Sequence, residues 1–182
     1  MNVLLLCLVL PVAFALLVYD AWLAYRLYRM SAEANRVAWG GLNGKVVYAF
    51  VLTFLLSCFG CTSSFALFAS RDTADGSATF LFVVLNASYL AFNYALLHGM
   101  ENAVLVCLWT NVCVLTALFV YTAVAFDARS DAGNAGLLVA THVCNFVSIF
   151  HAYVMDLMVW YDGWIHARDV YMTSPDSICD DT

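Results

Sequence analysis

The sequence predicts an all-α protein: an integral membrane bundle of five transmembrane helices. Three observations carry that prediction. First, five long apolar runs with almost no internal charge lie at about 2–25, 46–70, 79–99, 103–126 and 136–160. A hydrocarbon core ~30 Å thick is crossed by ~20 apolar residues of helix, and each run is long enough. Second, 64% of the 182 residues are hydrophobic and only 11% are charged, where soluble domains carry roughly 25% charged residues; the mean hydropathy is +0.85. Third, no stretch outside the runs approaches the ~50 residues that an independent soluble domain needs. The organisation is therefore one transmembrane domain, 1–164, followed by a short acidic polar tail, 165–182.

The first run has no Lys or Arg before Arg26 and stays apolar through Trp22. A secretory signal has a basic start, a shorter apolar core and a small-residue cleavage site, so an uncleaved helix is expected. Pro11 lies mid-run, where membrane helices tolerate proline because neighbouring groups satisfy the freed carbonyl. The connection 26–45 is the longest. Ser31 to Ala38 fits one or two helical turns capped by Ser31, and Gly40, Gly41 and Gly44 make its last third turn-like.

The second run carries Ala49, Thr53, Ser57 and Cys61 every four residues, with Gly60 and Ser64 beside them. Because lipid tails are as apolar as leucine, helices associate in membranes through small residues and interhelical hydrogen bonds. This stripe predicts close helix–helix contact. The polar segment Ser70–Ala78 reads as a solvated loop. The third run carries Asn86 and Asn93 on one face, and the fourth carries Asn111. A buried amide in hydrocarbon is expensive unless paired, so bonding within the bundle is expected. Asn86-Ala87-Ser88 matches a glycosylation sequon but sits inside a span. A tight hairpin at His98-Gly99-Met100-Glu101-Asn102 joins the third and fourth runs.

In the fifth run His142, Asn145, Ile149, Ala152 and Asp156 are spaced 3, 4, 3, 4 and share one stripe, with Ser148 at its edge. At 3.6 residues per turn His151 projects from a different face. Ionisable residues within spans face the bundle interior or a wet cavity. Asp20, His98, Glu101 and Asp156 fall at one level, where near-interface acids are expected to snorkel or pair with arginine. The alternative reading is a polar vestibule for protons, a cation or a headgroup, with Arg26 and Arg29 as counter-ions. The tail ends in Asp176, Asp180 and Asp181 and, with Pro175, has the composition of disorder.

Charge sets an expected topology. Cytoplasmic connections are enriched in Lys and Arg. Placing Arg26, Arg29, Arg36, Lys45 and Arg168 on the cytoplasmic side leaves only Arg71 and Arg129 opposite, with the N-terminus outside or lumenal and the C-terminus cytoplasmic. Trp22, Trp39, Trp160 and Trp164 fall near that same side, where tryptophan favours the headgroup level; Trp109 lies about two turns deeper.

The net charge of −6 argues against nucleic-acid binding, which needs a basic face. Six of the seven cysteines lie in predicted helices and read as small packing residues. Cys58-Phe59-Gly60-Cys61 has the spacing of a thiol–disulfide pair. Membrane oxidoreductases of the vitamin K epoxide reductase type add a second cysteine pair in a loop, which this chain lacks. His98, His142 and His151 fall at three depths, against bis-histidine haem. His151 and Cys144 alone do not make a zinc site, which takes three or four ligands. No catalytic residue, metal site or cofactor is expected. The expected role is a non-enzymatic interaction or assembly component of a membrane, partnered by the bilayer, by other membrane proteins or by itself. The alternative is a small channel or proton- or ion-conducting protein using the fifth run, and the third reading is a membrane redox protein.

Overall fold

The computed structural model describes residues 3–29, 40, 42, 44–70, 76–126 and 135–172. The expected helical turns at 31–38, most of the 70–78 loop, the end of the tail and Trp39 lie outside the described residues. So do the side chains of Asp20, Arg26 and Arg29. Every described element is helical: α1 (Val3–Arg29), α2 (Gly44–Ser70), α3 (Gly76–Leu97), α4 (Glu101–Ala125), α5 (Ala135–Phe150), a π-helical segment (His151–Trp160) and α6 (Tyr161–Met172). The last three form one continuous rod, because Phe150 and Tyr161 keep right-handed helical dihedrals at both junctions.

Four of the five rods are long and apolar enough to cross a bilayer: Lys45–Ser70, Gly76–Leu96, Glu101–Ala125 and Ala135–Ala167. α1 matches α2 at 27 residues and is apolar over Leu5–Tyr19. At 1.5 Å per residue it is roughly 40 Å long. The fifth rod continues as helix to Met172, past the expected start of the tail at 165.

Three packed layers show that the rods alternate in direction. Near one end, Leu5 and Val9 of α1 pack with Leu67, Phe68, Ala78, Phe82, Leu118, Phe126 and Leu138. At mid-depth, Leu85, Val114, Leu115 and Ala152 form a second layer. At the other end, Ala95, Val104 and Leu108 pack with Trp160 and Trp164. The aromatic rings of the first layer meet mostly edge to face, as Phe65–Phe82 at 5.4 Å and Phe68–Phe126 at 5.0 Å, the geometry that quadrupoles favour.

The α3–α4 turn follows from one residue. Gly99 adopts φ +61. The Met100 N–H donates to the Ala95 carbonyl at 2.8 Å and the Gly99 N–H to that of Leu96 at 3.2 Å. This is a Schellman end, which satisfies the last carbonyls of α3. Glu101 then opens α4, where a carboxylate complements the helix dipole.

Two tryptophans expected in a headgroup belt are core residues. Trp160 and Trp164 are only 5% and 3% exposed and stack on each other at 5.7 Å, with Phe92 against Trp160 at 5.5 Å. Gly163 and the Gly40 backbone touch, and Leu42 packs against this plug. Trp22 and Trp109 remain outward-facing.

Candidate functional site

The α2–α5 seam is lined by polar side chains; α3 and α4 are also joined by the Ser88 hydroxyl, which donates to the Cys107 carbonyl at 3.2 Å. The closest approach of the seam is at Gly60. A Cβ there would lie 2.8 Å from the Asn145 Oδ1 and 2.8 Å from the Cys144 carbonyl carbon, so only glycine lets the backbones meet. The small-residue stripe of α2 thus has Gly60 at its contact point, flanked by buried Ser57 and Ser64, while Ala49 at its end is exposed.

From that contact outwards, hydrogen bonds run along the seam in both directions. On one side the Asn145 amide Nδ2 donates to the Ser64 hydroxyl at 2.8 Å. On the other, the Ser148 hydroxyl donates to its own helix at the Cys144 carbonyl, 2.9 Å, and lies 3.4 Å from the Ser57 carbonyl. The Ser57 hydroxyl donates to the Thr53 carbonyl at 2.8 Å. Next, the Thr53 Oγ1 lies 2.8 Å from Nδ1 of His151. Finally, His151 Nε2 lies 3.4 Å from the Asp156 Oδ1. From Ser64 to Thr53 the polar seam covers roughly 16 Å of helix at 1.5 Å per residue, about half of a ~30 Å hydrocarbon core.

His151 is the residue that the α-helical spacing misplaces. It is 2% exposed, and Asp156 is 14% exposed. In an α-helix residues five apart diverge by roughly 140°. The π-helical register, in which each N–H bonds five residues back, stacks them instead. The Tyr161 N–H donating to the Asp156 carbonyl records that register. No proline or glycine interrupts His151–Trp160. The π register brings an imidazole and a carboxyl together where the α register would leave each alone in hydrocarbon, and a lone intramembrane ionisable group is costly. π-helical turns are rare and frequently occur at functional sites. Phe50 and Phe54 cover the ring at centroid distances of 4.7 and 5.7 Å.

The protons of this unit are constrained. Thr53 has one hydroxyl proton, and its oxygen is also 2.8 Å from the Ala49 carbonyl and 3.1 Å from that of Phe50. When the hydroxyl donates to either carbonyl, its oxygen accepts from Nδ1–H. A further proton is then carried either by Nε2 or by Asp156, which stand 3.4 Å apart. Neutral imidazole with a protonated carboxyl, or imidazolium with carboxylate, are the two arrangements, and both have zero net charge. When the hydroxyl instead donates to Nδ1, the imidazole proton is on Nε2 and faces a carboxylate. Thr53 therefore couples the histidine tautomer to the protonation of Asp156.

The other expected site residues are placed differently. His98 and Glu101 are exposed at the α3–α4 turn, with the Tyr94 ring 4.3 Å from that of His98. Among the described residues no group of three or more His, Cys, Asp or Glu is placed to hold a metal ion. Asp20 lies on α1, with its side chain outside the described residues. His142 is half-buried and edge-on to Phe119 at 6.1 Å, and its buried Nδ1 has no hydrogen-bond partner among the described residues. Asn86 donates to the Phe82 carbonyl of its own helix at 2.7 Å, and Asn93 is buried at the α3 core face. Cys58 is exposed, Cys61 half-buried, and no disulfide joins them. A separate shallow groove of about 600 Å³ lies between α1 and α3, lined by Phe14, Ala15, Val18, Tyr19, Trp22 and Leu90; it is apolar.

Fold and composition define a multi-pass α-helical membrane protein. No protein-family model matches the chain, and neither a curated protein nor a solved structure matches it.

Proposed function

We propose that this protein passes protons within the membrane through the α2–α5 seam, with His151 and Asp156 as the groups that take up and release them. The observation that carries the reading is the Thr53–His151–Asp156 unit: two ionisable side chains paired at mid-helix in a π-helical segment, on a seam whose remaining members are hydroxyls and an amide. Ionisable residues inside membrane helices commonly mark ion pathways and proton relays. The proposal deepens the role expected of Asp156 and Asn145, and replaces His142 with His151 as the working imidazole. In this reading the N-terminus is outside or lumenal and the C-terminus cytoplasmic, supported by the Lys and Arg bias of the connections.

Proton flux into proteoliposomes, driven by a potassium-diffusion potential and read with an entrapped pH dye, tests the proposal. The intact protein conducts above empty vesicles. Asp156→Asn and His151→Phe each reduce that flux at least tenfold, and His142→Ala leaves it unchanged. Flux no greater than in empty vesicles, or equal flux in all variants, overturns it.

A second reading, an assembly component that binds another membrane protein or a second copy, has one supporting observation. α1 meets the bundle chiefly through α3 and turns Phe14, Leu17, Val18 and Trp22 outward. Single-cysteine cross-linking at Leu17 in native membranes yields a specific adduct if this reading holds, and only random products if it does not.

A further inference from the structure

Asn111 of α4 is 1% exposed, and neither its Nδ2 nor its Oδ1 has a hydrogen-bond partner among the described residues. An amide buried in an apolar medium without a partner is costly, and buried polar side chains are bonded to protein or to ordered water in the large majority of cases. Its depth is bracketed by its neighbours on the same helix face. Leu115 shares a packed layer with Ala152, and Leu108 shares one with Leu157 and Trp160. Because α4 and the last rod run in opposite directions, Asn111 falls at the level of Asp156.

We infer that Asn111 holds a water molecule inside the bundle, at the level of the His151–Asp156 pair. The chemistry of the amide selects this ligand. Nδ2 only donates and Oδ1 only accepts. A cation would satisfy the oxygen and leave the nitrogen orphaned; an anion would do the reverse. Water accepts from Nδ2 and donates to Oδ1, and it retains capacity for a carboxyl beside it. Internal waters typically make about three such bonds. Where the proton-relay reading of the preceding section holds, this water extends the relay from the α2–α5 seam toward α4; that consequence rests on that reading, while the water itself does not.

Infrared difference spectra of the reconstituted protein in H₂16O and H₂18O test the inference, using Asn111→Leu, which is apolar and of similar size, and Asn111→Ser, which keeps a hydroxyl and adds room. The intact protein is expected to show an isotope-sensitive O–H band of an internal water. That band is lost in Asn111→Leu, retained in Asn111→Ser, and shifted in Asp156→Asn. Absence of the band from the intact protein, or its persistence in Asn111→Leu, overturns the inference. So does a higher melting temperature of Asn111→Leu with an unchanged spectrum, the behaviour of a dry, unpaired amide. If Asn111→Leu fails to fold, the intact protein and Asn111→Ser still decide. The band present without proton flux keeps the water and removes conduction; flux without the band does the opposite.

Discussion

The α2–α5 seam and the α1–α3 contact solve the same problem by different means. Both join helices inside a solvent that offers no hydrophobic drive between them. At the seam, Gly60 lets two backbones touch, and hydroxyls and an amide bridge the gap from Ser64 to Thr53. At the α1–α3 contact, Leu5 and Val9 pack into one end, and a shallow apolar groove opens between Phe14 and Trp22. The first contact is short-range and specific in register. The second packs apolar side chains at one end and leaves a groove along the rest. In a membrane, the carrier of helix order is the close, polar contact, while the peripheral helix keeps an outward apolar face.

Four measurements test that contrast. The largest effect is expected from Gly60→Leu, whose side chain has backbone of Cys144 and Asn145 in its way. Overpacking costs typically 1–3 kcal/mol, and because the obstacle is backbone, a loss of about 3 kcal/mol or more is expected in detergent unfolding. Ala15→Leu, which fills the α1 groove, changes stability by less than about 0.5 kcal/mol in the same assay, the scale of substitutions away from packed features. Equal losses in the two variants would erase the distinction.

Next comes Asn145→Leu, which removes the bond to Ser64. Interhelical hydrogen bonds in membranes are worth about 0.6 kcal/mol on average and up to about 2. A loss of about 1 kcal/mol is expected, largely absent when Ser64 is already alanine. Additive losses in that double-mutant cycle would mean the two side chains act separately. Gly99→Ala at the α3–α4 turn places a Cβ on a left-handed backbone and costs about 1 kcal/mol, read as a lowered midpoint with an unchanged transition width. The smallest effect is Leu17→Ala on the outward face of α1: stability in lipid is expected to be unchanged, and a clear loss would reveal that this face is covered.

Much of the fold was legible in the residues. The apolar runs at 46–70, 79–99 and 103–126 match α2, α3 and α4 to within a few positions, because length and apolarity in lipid leave helix as the available state. The hairpin at Gly99 was legible because a glycine between two apolar runs is a helix stop. The stripe of α2 was legible through its four-residue spacing, although its contact point is Gly60 and its first member, Ala49, faces outward. The site was legible only in part. Asp156 and Asn145 share an α-helical stripe, but His151 joins Asp156 only through a five-residue register that no 3.6-residue wheel displays. The available signal was the pair itself: an imidazole and a carboxyl five apart in an otherwise apolar stretch. Trp160 and Trp164 were misread for a related reason. Position near a helix end suggests a headgroup anchor, whereas their spacing of four stacks one ring on the other against Phe92.

The hydroxyls of α2 bond first to their own helix: Thr53 to Ala49, Ser57 to Thr53 and Ser63 to Gly60. Such back-bonding to a carbonyl one turn earlier is available to serine and threonine in any isolated helix. The partner rod, however, emerges from the ribosome roughly ninety residues later, as the separations of 81 between Ser64 and Asn145 and 98 between Thr53 and His151 show. During biogenesis α2 therefore enters the bilayer with the Thr53, Ser57 and Ser63 donors already bonded to its own turns, and its mate adds the Asn145–Ser64 and His151–Thr53 contacts when it arrives.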